Sequence, residues 1–94
     1  MKEDQRLAMV SAATRALDYL KVKPFAEIEE IIKHIVSSSN FSRKKSELKI
    51  LEVAAANEVL KLKRQNLNLT DRRILEQFMA NLQDIFNKTE EGLE

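Results

Sequence analysis

Residues 42–64, SRKKSELKILEVAAANEVLKLKR, contain neither Gly nor Pro, and the reading of this stretch decides the fold. At about 100° per residue, Leu48, Leu51, Ala55, Val59 and Leu62 fall in one stripe, with Phe41 just upstream on the same line. This is the core-facing pattern of an amphipathic helix. Ile50, Val53, Ala54 and Leu60 fall on roughly the opposite side, mixed with Ser46, Asn57 and Lys61. A helix that is apolar on two sides is either central in its own fold or covered by another chain. Ser42 suits the N-cap, so the helix is predicted over 42–65. That makes it the longest helix of the chain, about 34 Å at a rise of about 1.5 Å per residue.

Working outward, residues 2–21 place Met9, Val10, Ala13, Ala16, Leu17 and Leu20 on one face, opposite Asp4, Ser11, Thr14, Arg15 and Asp18. This predicts a first helix whose alanines let a neighbour approach closely. Pro24 interrupts the pattern and is read as the opening of a second helix over 25–37. Its stripe is Phe25, Ile28, Ile31, Ile32, Ile35 and Val36, and Glu27, Glu29 and Glu30 lie where the helix dipole favours negative charge. Ser37-Ser38-Ser39-Asn40 competes for the backbone and ends it. Downstream, Thr70 and Asp71 form an N-cap and N1 pair for a fourth helix over 70–87, with Ile74, Leu75, Phe78, Met79, Leu82, Ile85 and Phe86 on one broad face. From 88 the chain is acidic and expected to fray, and Leu93-Glu94 after Gly92 reads as a cloning scar.

The expectation is therefore an all-α single domain over 1–90, an antiparallel four-helix bundle with helix 3 longest and central. Composition agrees: one Gly and one Pro in 94 residues leave few of the residues that tight β-turns need. A chain of this length buries only about 60–65% of its extended surface, so association with a second copy would add to its stability.

The composition narrows the functional classes. Sixteen basic residues against fifteen acidic ones make the chain neither a disordered polyelectrolyte nor a general polyanion binder. Without cysteine there is no disulfide framework and no thiolate metal site. The start, MKEDQR, does not resemble a signal peptide, and no apolar run is long enough to span a bilayer, so the expected compartment is the cytoplasm and no membrane is a partner. The sequons at Asn40, Asn68 and Asn87 then carry no weight.

Catalytic constellations are lacking. His34, the single histidine, lies opposite the Ile28/Ile31/Ile35 stripe with Glu30 one turn before it, a pair that reads as a solvated face. Carboxylates at one-turn spacing, such as Glu27 and Glu30, sit on polar faces where water screens one from the other. No phosphate loop, nucleophile elbow or zinc motif occurs. Met9, Phe78 and Met79 read as core packing rather than as the walls of a small-molecule cavity. No enzymatic role, cofactor or metal is expected.

Charge is uneven along the chain: residues 42–64 carry seven basic and three acidic side chains, a balance of +4, whereas 65–94 carry three and six, a balance of −3. Arg43, Lys44 and Lys45 stand at the start of helix 3, where the dipole disfavours cations and free N–H groups attract anions. Two functional expectations follow. The first is a non-enzymatic protein-interaction module that forms a homodimer through Ile50, Val53, Ala54 and Leu60. The alternative is a nucleic-acid-associated regulator, or a binder of an acidic protein, that holds anions with Arg43, Lys44, Lys45 and Lys49.

Overall fold

The computed structural model describes residues 1–39 and 46–93, and the described residues form five helices and no strand. The first, α1 (Glu3–Val22), opens with the Gln5 side chain turned back to accept the Lys2 backbone N–H at 2.8 Å. It ends as the Lys23 N–H reaches the Tyr19 carbonyl at 2.9 Å. The next residues do not start a helix at Phe25. Instead residues 23–26 form a turn closed by the Ala26 N–H on the Lys23 carbonyl at 3.1 Å. Pro24 occupies the second position of that turn, where its fixed φ is equally well suited. Consequently α2 (Ile28–Ser37) begins three residues later than the sequence predicts, and Phe25 leaves the core stripe altogether. Glu29 and Glu30 do lie in its first turn. The serines end it as expected: Ser37 and Ser38 both donate their hydroxyls to the His34 carbonyl, at 3.2 and 2.7 Å.

The third helix, α3 (Ser46–Gln65), has 20 residues, as does α1, so over the described residues it shares the greatest length rather than holding it alone. Ser42, read as its N-cap, and Phe41, on its predicted stripe, lie outside the described residues. The central position is as expected: α3 packs against each of the other four helices. Its buried side is wider than one stripe. Two rows at i+4 spacing are sealed, one of Leu51, Ala55 and Val59 and the other of Leu48, Glu52, Ala56 and Leu60. Leu62, placed in the predicted stripe, is half-buried at its edge. The main partner of α3 is α1, where Ala8, Met9, Ala12, Ala13, Ala16 and Leu17 are buried. Alanines on both helices keep the axes close, and close packing recovers dispersion energy that small side chains forgo individually.

The predicted fourth helix is two. α4 (Asp71–Ala80) ends at Asn81, whose side-chain amide donates to the Gln77 carbonyl at 3.1 Å, and α5 (Leu82–Leu93) follows at once. Asparagine favours such local side-chain bonds over helix continuation, which places the break where it falls. The four-helix arrangement is thereby replaced by five helices among the described residues. Ile74, Phe78 and Leu82 still line the core across the break. Beyond residue 88, where the sequence reads as frayed, the chain remains helical to Leu93. The Thr89 hydroxyl donates to the Ile85 carbonyl at 2.8 Å, and Thr89 is half-buried beside Ala54 of α3.

Candidate functional site

The α3–α4 connection mirrors the α1–α2 connection. After Gln65, the Asn66 side chain and backbone both donate to the Leu62 carbonyl at 3.0 Å, and the Leu69 N–H closes a turn on the Asn66 carbonyl at 3.0 Å. Thr70 then caps α4, accepting the Arg73 N–H at 3.2 Å. Leu67 sits inside this turn as Phe25 sits inside the other. Both are apolar residues at turn positions, which the backbone holds away from the core.

Their exposures stand apart from the rest. Phe25 is 97% exposed, Val22 79% and Leu67 78%, whereas Leu7, the next among the described residues, is 49% exposed. Isolated exposed apolar side chains need no explanation, but a cluster does. Phe25 and Leu67 lie at one cleft of about 390 Å³. Pro24, Phe25, Ala26 and Ile28 form one wall and the last turn of α3, with Leu60, Lys63 and Arg64, forms the other; Leu20 and Ile31 complete the lining. Lys63 is held in place by Asp71 at 3.0 Å and by the Leu69 carbonyl at 3.3 Å, and Lys21 reaches the same carboxylate at 3.4 Å. Arg64 on the α3 wall and Glu27 beside the other wall are exposed, and neither makes an ion pair among the described residues.

The self-association residues expected from the sequence do not form one surface. Leu60 is 2% exposed and belongs to the core, because the row it shares with Leu48 and Ala56 faces inward; it is corrected from a surface contact to a packing residue. Ala54 is half-buried in a groove shared with Ile85 and Thr89 of α5. Val53 is half-buried, and Ile50 alone of the four counts as exposed, at 40%. The second apolar side of α3 is thus largely used within the chain. Of the candidate anion-binding residues, Lys49 is exposed, and Arg43, Lys44 and Lys45 lie outside the described residues.

A polar cluster spans α1 and α2. The Tyr19 hydroxyl donates to Glu30 at 2.5 Å, the Tyr19 and His34 rings stand 4.7 Å apart, and Lys23 lies 5.6 Å from the Tyr19 ring centre and 3.9 Å from Glu30. The Glu30 carboxylate that accepts its hydrogen bond, helped by local desolvation, raises the Tyr19 pKa above its usual value of 10.0. Glu30 therefore serves Tyr19 and Lys23, and His34 packs on a ring. Arg15 donates to the Ser38 hydroxyl across the same seam. Among the described residues no three His, Asp or Glu side chains are grouped to hold a metal ion. Met9 and Phe78 are fully buried packing residues, while Met79 is partly exposed on α4.

Sequence reasoning misses one buried polar contact. Glu52 is fully buried, and its Oε1 accepts from the Ser39 hydroxyl at 2.8 Å, tying the end of α2 to α3. The signal is present in the sequence, since Glu52 stands four residues after Leu48 and four before Ala56, inside an apolar row. The chain matches no protein-family model, no curated protein and no solved structure. Among the described residues no helix is long and apolar enough to cross a membrane.

Proposed function

We propose that the chain is a small non-enzymatic protein-interaction module that self-associates, and that its contact surface is the cleft between residues 24–28 and the last turn of α3. The observation that carries this reading is the gathering of Phe25 and Leu67, two of the three most exposed large apolar side chains among the described residues, at one cleft. Each Phe25 left in water forgoes about 1.5–3 kcal/mol of burial energy, a standing cost that a partner removes. Helix α3 remains the interacting helix, but the contact lies at its C-terminal end rather than at Ile50, Val53 and Ala54 in its middle.

The test is the solution mass by sedimentation equilibrium. The chain should behave as a dimer, and a Phe25→Asp, Leu67→Asp double variant should be monomeric with an unchanged helical circular dichroism spectrum, since both side chains lie outside the core. A wild-type monomer at concentrations up to about 1 mM would leave an association weaker than about 4 kcal/mol and end the proposal. A dimer that survives the double variant but is lost with Val53→Glu would return the contact to the middle of α3.

A further inference from the structure

Resting on that reading of the cleft, we infer that its occupant is the Phe25 side chain of a second copy, in a two-fold arrangement that sets Glu27 of each chain against Arg64 of the other. The surface carries a knob and a hollow together: Phe25 projects from the turn at 23–26, and the hollow beside it is lined by Leu20, Ala26, Ile28, Leu60 and Leu67. A patch with both parts is self-complementary, which is what an isologous contact requires, because each side chain that inserts is matched by the same insertion in reverse.

Charge gives the register. The wall at 24–28 leads into the first turn of α2, where Glu27, Glu29 and Glu30 stand, while the facing end of α3 bears Lys61, Lys63 and Arg64. Within the chain, Glu30 is close to Lys23, and Lys63 is paired with Asp71. Glu27, Glu29, Lys61 and Arg64 make no ion pair among the described residues, two of each sign. Of these, Arg64 lines the cleft, and Glu27 stands in the chain between two residues that line its other wall, Ala26 and Ile28. A two-fold rotation about an axis through the cleft exchanges the walls. The acidic wall of one copy then meets the basic wall of the other, and two unlike pairs form at the rim of an apolar contact, the arrangement usual in protein interfaces. A head-to-tail contact would satisfy one wall per copy and leave the other open.

Charge reversal tests the arrangement, because both residues are exposed and their replacement spares the core. Glu27→Arg alone sets Arg against Arg in both pairs, and Arg64→Glu alone sets Glu against Glu. Each variant should raise the dimer dissociation constant about tenfold at low salt. Mixed in equal amounts, the two variants complement each other. The Arg introduced in one chain meets the Glu introduced in the other, and the remaining native Arg64 and Glu27 meet likewise. A heterodimer with wild-type affinity should therefore form, read by sedimentation with one chain labelled. Single variants that dimerise as tightly as wild type, or a mixture that does not recover, would overturn the two-fold register. The wild-type mass separates the two failures, since a monomer ends self-association itself, whereas a wild-type dimer indifferent to these charges ends the register alone.

Discussion

Tyr19 is the only tyrosine of the chain, which makes its environment directly measurable. Glu30 stabilises its neutral, hydrogen-bonded form, so the folded state holds the phenolic proton more tightly than the unfolded state does. The sign follows from linkage: a raised folded pKa contributes stability that is complete below 10.0 and lost as pH rises through the folded value. An ultraviolet titration of the phenolate should give a midpoint above 10.0 in the folded chain, moving toward 10.0 in Glu30→Gln. An unchanged midpoint in the variant would deny the contact its role. Glu52 shows how far a sequence can be read at this scale. Its place in the apolar row is legible, yet its hydroxyl partner, Ser39, is thirteen residues away, in a serine run whose evident local role is to stop α2.

At the scale of elements, the two long helices are legible because their patterns run over many turns, where the 3.6-residue period accumulates. What escapes is local. Pro24 fits both a first helical turn and the second position of a β-turn, and nothing nearby in the sequence separates the two. A helix opened at Pro24 places Phe25 in the core, and the cleft that Phe25 borders then cannot be foreseen. Leu60 is misplaced for a different reason. A stripe drawn through Leu48, Leu51, Ala55, Val59 and Leu62 is narrower than the side that a helix packed against four others buries. The alanines are legible as a close-approach surface, and that surface makes a prediction. Ala12 is fully buried in α1, so Ala12→Leu should overfill the core and lower stability by about 1–3 kcal/mol. Ala80→Leu, at an exposed position, should change it by less than about 0.5 kcal/mol. Urea unfolding midpoints measure both, and equal effects would mean that the helices have room to separate.

At the scale of the molecule, the Cα radius of gyration of 12.4 Å matches what a self-contained chain of this length adopts, about 12 Å. The core closes with α3 packed among its own neighbours, so the proposed association joins folded chains rather than completing one. That is why the most exposed apolar side chains are found at the turns and at the end of α1, and not along the middle of α3. A dilution series followed by amide chemical shifts tests this most directly, because it maps the contact without altering a residue. Shifts in residues 22–28 and 60–67 should move together with concentration along one binding curve, while those of Ile50, Val53 and Ala54 stay fixed. Shifts that are constant throughout, or that move at Ile50, Val53 and Ala54 instead, would contradict the account.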